Sequence, residues 1–173
     1  MKSRNSWLVT ATLVSAGALV LRARARRRRS DRVKHVMIDD VVTIDASASL
    51  VEAAQAMKEA NVGVLPVVSS GRLRGLITDR DIVVRAIALG ADAASTTVGE
   101  CSTRDLICAR PDTAIDEAME VMAECQVGRL PVVDDANHLV GMVTLSSLAL
   151  RSSEGDEALH TAQEVSKRSA KAA

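Results

Sequence analysis

The heptapeptide Val62-Gly-Val-Leu-Pro-Val-Val68 returns 65 residues later as Val127-Gly-Arg-Leu-Pro-Val-Val133, with six of its seven positions unchanged. The similarity extends in both directions, at the same offset before the heptapeptide and, after one inserted residue, at an offset of 66 behind it. The repeated unit is about 55–60 residues long, which is too short to enclose a core of its own. We therefore expect the two copies to pack together as one body.

Each copy contains the same order of elements: strand, helix, strand, strand, helix. In the first copy, Ser49 and Glu52 match a helix capping box, and the apolar residues that follow recur at helical spacing. β-Branched runs bounded by turn residues indicate the strands. The predicted elements are strands over 41–44, 64–68 and 73–78, a helix from 50 that ends at Gly63, and a helix over 79–89 that begins at Thr78 or Asp79 and ends at Gly90.

The second copy repeats this order, and the chain continues on either side of the pair. Its predicted elements are strands over 106–109, 129–133 and 139–144, a helix from Asp112 or Thr113 to Cys125, and a helix that ends near Leu150. The expected divisions are an N-terminal segment over 1–31, the first repeat over 33–92, the second over 98–151 and a polar tail over 152–173. The tail lacks apolar periodicity, which indicates a frayed helix.

The motif Gly75-Leu-Ile-Thr78-Asp-Arg-Asp81 follows the first heptapeptide, and the two together resemble the CBS domain, named after cystathionine beta-synthase. The resemblance covers about residues 33–151. The arrangement of two repeats is similar to that of stand-alone two-CBS proteins of the hypoxic-response-protein type. It implies an α/β (α+β) fold, in which two β-α-β-β-α repeats pack through their sheets about a pseudo-twofold axis. Such a pair is called a Bateman module.

The resemblance also implies two clefts between the repeats that bind adenosine-containing ligands. In each cleft the Asp of one repeat accepts the ribose hydroxyls, its Thr and the helix-start amides hold phosphate, and the facing repeat contacts the adenine. Because the chain has no Tyr or Phe, the adenine would lie between aliphatic side chains. The ligand-binding residues implied for the first cleft are Thr78, Arg80 and Asp81, with Ile107, Val127 and Arg129 from the facing repeat and Arg104 as a second cation.

The second cleft departs from the family pattern. Thr144 is present, but Ser147 stands at the Asp position, and Val64 stands at the position equivalent to Arg129. We therefore expect this cleft to bind weakly or not at all, which limits the chain to about one nucleotide. A structural interpretation stays open for the first cleft as well, because Thr78 and the acids after it can equally serve as a helix cap.

Two classes of function fit these residues. The first is a non-catalytic regulatory module, in which AMP, ADP, ATP or S-adenosylmethionine biases the placement of the two repeats. Such a module would signal to a partner protein or through its own homodimer, the assembly that is common in the family. The second is a ligand-independent dimerising or docking protein.

Catalysis and metal binding have no support in the sequence. It contains no catalytic triad order, no phosphate-binding loop and no metal-ligand spacing, so we expect neither an enzyme nor a required cofactor. The cysteines Cys101, Cys108 and Cys125 are odd in number and form no Cys-x-x-Cys pair. They indicate reduced thiols in a cytoplasmic protein, with a redox role left open.

The N-terminal segment carries positive charge and the rest of the chain negative charge. Residues 1–34 hold ten Lys or Arg and one Asp, about +9, whereas residues 35–173 hold twelve Lys or Arg and twenty-one Asp or Glu, about −9. Residues 7–21 are uncharged, and six Arg follow them. The pattern predicts a tether on the cytoplasmic face of a membrane through residues 7–29. A downstream translation start is one alternative, and an Arg-driven nucleic-acid contact, disfavoured by the acidic body, is another.

Overall fold

The computed structural model of the protein describes residues 32–149 and 161–165. Within them, the first repeat forms a three-stranded sheet and the second a two-stranded sheet, each flanked by helices. The elements of the first repeat are β1 (Ile44–Asp45), α1 (Leu50–Ala60), β2 (Val64–Ser69), β3 (Arg72–Thr78) and α2, which comprises Asp79–Asp81, Ile82–Ala86 and Ile87–Leu89. Those that follow are α3 (Val98–Cys101), α4 (Ile115–Cys125), β4 (Arg129–Val133), β5 (Leu139–Thr144) and α5 (Leu145–Ala149). The predictions for residues 1–31 lie outside the described residues.

The two hairpins that carry the repeated heptapeptides have the same register, which confirms the predicted α/β repeat. In the antiparallel pair β2–β3, Val64 lies opposite Thr78, and in the pair β4–β5, Arg129 lies opposite Thr144. Both hairpins also contain a register shift at the same place in the repeat. Each hairpin therefore delivers a Thr to the start of the helix that follows it.

The start of α1 agrees with the sequence, and its end does not. The amide of Glu52 donates to the Ser49 hydroxyl over 3.2 Å, and the Glu52 carboxylate accepts from the Ser49 amide over 2.7 Å. The predicted capping box is thus confirmed. The helix ends at Asn61 in the left-handed region with φ 52°, so the prediction of an end at Gly63 is wrong. Asn adopts this conformation more readily than other residues with a side chain.

The start of α4 differs from the prediction. Its N-cap is Ala114, whose side chain offers no acceptor, rather than Asp112 or Thr113. The hydroxyl of Thr113 instead accepts from the amide of Arg110 over 2.9 Å, in the turn before the helix. This helix therefore depends on its buried apolar face rather than on a side-chain cap.

The first strand of each repeat is shorter than its β-branched sequence predicts. The strand predicted over 41–44 is reduced to β1, and the strand predicted over 106–109 is reduced to one bridge between Ala109 and Val132. Before β1 the chain leaves the first sheet, and Ile38 pairs instead with Met142 of β5, with both N–H···O distances at 2.8 Å. A high β-propensity extends a strand only where a partner strand continues beside it.

The helix predicted over 79–89 is confirmed in extent but not in regularity. Residues Ile82–Ala86 form a π-helical turn, and Ile87–Leu89 form a 3-10 turn. Gly90 ends the helix at φ 75°, as the sequence predicts, because glycine adopts the left-handed region without a Cβ clash. The helix start at Thr78 is therefore followed directly by a π turn.

The first residues of each repeat pack into the core of the other copy. Val33 and Val36 lie in the core that contains Met119 and Leu130 of the second repeat. Val98 and Cys101 of α3 lie in the core of the first repeat. The amide of Val33 donates to Thr113 over 3.0 Å, and that of Val98 donates to Ala48 over 2.8 Å. This exchange explains why two repeats that are each too small to close a core form one body.

Residues 161–165 form a helical turn that packs on the second repeat. Thr161 is 2% exposed, and Val165 Cγ1 lies 3.8 Å from where a Cβ on Gly128 would stand. This part of the tail is helical, as predicted, but packed rather than frayed. In the described parts of the chain, no helix has both the length and the apolar character needed to cross a bilayer.

Candidate functional site

The first helix start is closed by a capping box between Thr78 and Asp81. The amide of Asp81 donates to the Thr78 hydroxyl over 3.0 Å, and Asp81 Oδ2 accepts from the Thr78 amide over 3.0 Å. The Thr78 hydroxyl donates to the same carboxylate oxygen over 2.6 Å. These bonds satisfy two amides that the helix itself leaves unpaired. Thr78 and Asp81 therefore have a structural role as the N-terminal cap of α2.

The Asp81 carboxylate has one further partner, the guanidinium of Arg85. Asp81 Oδ1 lies 3.3 Å from Arg85 Nε, and the Asp81 side chain is 16% exposed. Arg85 Nη1 also donates to the Cys101 carbonyl over 3.0 Å and to the Thr103 hydroxyl over 3.2 Å. Since a carboxylate has about four acceptor positions, and Thr78 and Arg85 use three, about one stays free for a ligand.

Arg85 was absent from the predicted binding residues, although the sequence contains a signal that indicates it. Asp81 and Arg85 are four residues apart within a predicted helix. Opposite charges at this spacing lie on one face of a helix and contact each other. The family resemblance indicates residues of the ligand-binding motif, whereas Arg85 is indicated only by its helical spacing from Asp81.

Three of the predicted binding residues are exposed, namely Arg80, Arg104 and Ile107. Arg80 is exposed, and its amide donates to Asp79 Oδ1 over 2.7 Å. Arg104 is exposed, and its guanidinium donates to the carbonyl of Gly99 over 2.9 Å. Ile107 is 44% exposed. Arg104 thus contacts the backbone of α3.

Val127 and Arg129 lie at the entrance to β4. Val127 packs against the core of the second repeat, and its amide donates to the Met122 carbonyl over 3.0 Å. Arg129 is exposed and lies directly across the hairpin from Thr144. The resemblance implied a role for Arg129 at the first cleft, whereas the strand register places its backbone beside the helix start of its own repeat. Residues opposite each other in an antiparallel pair project on the same face.

The second helix start repeats the geometry of the first with a hydroxyl in place of the carboxylate. The Thr144 amide donates to Ser147 Oγ over 3.1 Å, and the Ser147 amide donates to Thr144 Oγ1 over 3.1 Å. The Ser147 hydroxyl donates in turn to the Thr144 carbonyl over 2.9 Å. Ser147 therefore maintains the cap without a negative charge.

Two of the cysteines are held in their neutral form by burial. Desolvation raises the pKa of Cys101, and the nearby charge of Glu100 raises it further. Burial also raises the pKa of Cys108, against the opposing effect of Arg110. A thiol with a raised pKa is a poor nucleophile at neutral pH. Within residues 32–149 and 161–165, no three His, Cys, Asp or Glu side chains are grouped to hold a metal ion.

A cavity of about 200 Å³ lies between the two repeats, away from the predicted binding residues. It is bordered by the end of β2 and by β5, which belong to different repeats. None of the seven predicted binding residues lines it. Its lining residues are Asp39, Val41, Thr43, Val68, Gly71, Leu139, Val140 and Gly141.

Comparisons with known proteins agree with these repeats. The CBS domain family model matches twice, at residues 33–87 and 98–154. The CBS domain-containing protein YhcV of Bacillus subtilis is 40% identical over 126 residues, which are 73% of this chain and 89% of the relative. Hypoxic response protein 1 of Mycobacterium tuberculosis is 36% identical over 117 residues, 67% of this chain and 81% of the relative.

Two solved structures show the same architecture. The crystal structure of Hypoxic Response Protein I with two coordinated zinc ions has a TM-score of 0.65 and 34% identity, over 70% of this chain and 98% of that one. The CBS domain pair of protein MJ0100, in complex with 5′-methylthioadenosine and S-adenosyl-L-methionine, has a TM-score of 0.61 and 32% identity. That match covers 69% of this chain and 93% of that one.

Proposed function

The chain belongs to the CBS-domain family, and we propose from that premise that it is a regulatory module which binds an adenosine-containing ligand at the first helix start. The observation that carries the proposal is the Asp81 carboxylate, which the cap holds in place with one acceptor position unused. The related CBS pair of protein MJ0100 binds two ligands that contain adenosine, 5′-methylthioadenosine and S-adenosyl-L-methionine.

The proposed ligand contacts follow from the chemistry of this helix start. Asp81 would accept a ribose hydroxyl in a charge-assisted hydrogen bond, which is stronger than a bond between neutral groups. The exposed Arg80 is a cation on the same turn and would offset the charge of a phosphate. The ligand would change the module only as far as it binds one arrangement of the repeats more tightly than another.

We propose that the module acts on a partner protein rather than on a substrate. The inosine-5′-monophosphate dehydrogenase of Methanocaldococcus jannaschii is 36% identical over 121 residues, but these are only 23% of that enzyme. The similarity to the enzyme is thus confined to a minor part of its length.

The test is thermal unfolding of the full chain with AMP, ADP, ATP, S-adenosylmethionine and 5′-methylthioadenosine, each at about 1 mM. A ligand at about a hundred times its Kd stabilises the folded state by about 2.7 kcal/mol, a rise in Tm of several degrees for a chain of this size. We expect one ligand to give this rise and Asp81→Asn to abolish it. Asp79→Asn is the matched control, because Asp79 is an exposed carboxylate on the same turn that lies outside the capping box.

Two outcomes would contradict the proposal. One is the absence of a Tm shift with every compound in the panel. The other is a shift that Asp81→Asn and Asp79→Asn leave equally intact, because the ligand would then bind elsewhere. The first result would favour the second candidate function, a ligand-independent homodimer.

The homodimer is favoured by an apolar surface on α2. Side chains that are half exposed or more interrupt its polar face, and burying such side chains is the main source of association energy. Sedimentation equilibrium of the full chain would show a dimer, and Val84→Asp would shift it to the monomer, whereas Gln55→Asp on α1 would not. The exposed residues are Val83 at 57%, Val84 at 50%, Ile87 at 53% and Leu89 at 78%.

The membrane tether predicted from residues 7–29 is part of the same proposal. An uncharged stretch followed by six Arg favours contact with an anionic lipid surface. We expect the full chain to float with vesicles of anionic lipid at low salt. We do not expect it to float with vesicles of neutral lipid at high salt. Equal recovery without lipid would contradict the tether.

A further inference from the structure

Arg85 contacts two parts of the molecule that are distant in sequence. Its guanidinium lies 3.3 Å from Asp81 Oδ1 at the helix start. The same group donates to the Cys101 carbonyl over 3.0 Å and to the Thr103 hydroxyl over 3.2 Å. The residue lies in the π-helical turn Ile82–Ala86, and such turns are frequent at functional sites. One side chain therefore joins the candidate ligand acceptor to residues 101–103.

At residues 101–103 the chain passes from the core of the first repeat toward the sheet of the second. Cys101 is 5% exposed in the core of the first repeat, as the last residue of α3. Two residues later, the Thr103 amide donates to the Leu76 carbonyl over 2.9 Å, and the Leu76 amide donates back to Thr103 over 3.0 Å. The chain then leaves β3 and proceeds to α4 of the second repeat. A change in the position of Thr103 is thus a change in how the second repeat is attached.

The acceptor positions of Asp81 create a competition. A ribose offers two hydroxyl donors, whereas about one acceptor position on the carboxylate is unused. Thr78 and Arg85 occupy the remaining acceptor positions. Thr78 makes short bonds of 2.6 and 3.0 Å, which also cap the helix. Arg85 makes a longer contact of 3.3 Å, and its side chain is 49% exposed. Arg85 is therefore the partner that a ligand displaces at the lower cost.

We propose that Arg85 is the positioning residue through which a ligand on Asp81 alters the attachment between the repeats. When ribose hydroxyls occupy Asp81 Oδ1, the guanidinium loses its anionic partner, and its hydrogen bonds to Cys101 and Thr103 rearrange. The differential contact that a regulatory ligand requires is then located at one side chain. This inference rests on the proposed function and specifies how the site is regulated.

The first test needs no ligand. Amide hydrogen exchange of the full chain is measured for the wild type and Asp81→Asn, which retains a side-chain acceptor for the helix cap but removes the charge that holds Arg85. We expect exchange of the Thr103 and Leu76 amides to rise about two- to fivefold, the effect that one partly exposed ion pair supports. Asp79→Asn is the control, because it removes a carboxylate of the same turn whose bond is to the Arg80 amide, whereas Asp81 pairs with Arg85. Unchanged exchange in Asp81→Asn would overturn the proposal.

The second test uses AMP at about 1 mM, or whichever compound of the thermal panel binds, as the probe. In the wild type we expect the ligand to change exchange at Thr103, and in Arg85→Gln we expect binding to persist while that change disappears. Arg85→Lys should restore part of it. A merely structural Arg85 would lower stability but leave the ligand-induced change, and that result would overturn the proposal. If no compound binds, the proposed function fails, and the Asp81→Asn comparison still decides the coupling.

Discussion

At Thr78 a carboxylate closes the helix start, whereas at Thr144 a serine hydroxyl closes it with hydrogen bonds of similar length. The residues across the hairpin differ as well, because Val64 stands opposite Thr78 and Arg129 opposite Thr144. The first start is therefore acidic beside an apolar residue, and the second is neutral beside a cation. Backbone geometry and charge are separable in this fold, because two copies of one helix cap are closed by side chains of different charge.

The largest effect is expected where the two repeats are most alike. Leu65 and Leu130 are equivalent heptapeptide residues, 0% and 1% exposed. Replacement of either by Ala should lower the free energy of unfolding by about 2–5 kcal/mol, through lost burial and the cavity left behind. Because each core includes the first residues of the other repeat, we expect a single transition in urea, followed by circular dichroism. Two separate transitions in either variant would show that the repeats unfold independently.

The next effect concerns the charge that distinguishes the two helix starts. Asp81→Ser gives the first start the composition of the second, and Ser147 shows that a serine maintains this cap. Loss of a hydrogen bond to a charged group costs about 1.5–3 kcal/mol, so the affinity for the proposed adenosine-containing ligand should fall about 10- to 100-fold. Calorimetric titration measures this, with Ser147→Ala as the control. An unfolded Asp81→Ser, or an unchanged Kd, would refute the comparison.

A smaller effect is expected at the first helices of the repeats. Ser49 and Glu52 cap α1, whereas Ala114 and Glu117 stand at the same positions of α4 and lack the hydroxyl. Ala114→Ser should complete a second capping box and raise the free energy of unfolding by about 1 kcal/mol. Urea denaturation measures the gain. Ala123→Ser within α4 is the matched control and should give no gain; equal effects of both variants would contradict the capping explanation.

The smallest effect is a dependence on pH. Hydrogen bonds from the Ser49 amide and hydroxyl hold the pKa of Glu52 below its ordinary value of 4.5, and the Thr97 hydroxyl and amide do the same for the pKa of Glu100. Because the folded pKa is depressed, this stabilisation is complete above pH 4.5 and is lost as the pH falls through the folded value. The Tm difference between the wild type and Glu52→Gln should therefore shrink as the pH is lowered from 6 to 3. A difference that grows toward acid would mean that the sign is wrong. Both carboxylates are exposed, so the effect is small.

Much of the fold was predictable because its rules act over a few residues. The repeated heptapeptides, the box at Ser49 and the turn at Gly90 each depend on neighbouring side chains and backbone angles. The cap at the candidate site was predictable for the same reason. Thr78 and Asp81 form a cap because they are three residues apart at the end of a strand, whatever the rest of the chain does.

The sequence by itself determined the duplicated unit, its hairpins, its family and the different charges at the two helix starts. Only the tertiary structure decided that Val33 completes the core of the second repeat and Val98 that of the first. It also decided that Arg85 reaches residues 101–103. The reason is that capping and strand alternation are local, whereas these contacts depend on which surfaces meet when two incomplete cores are closed together.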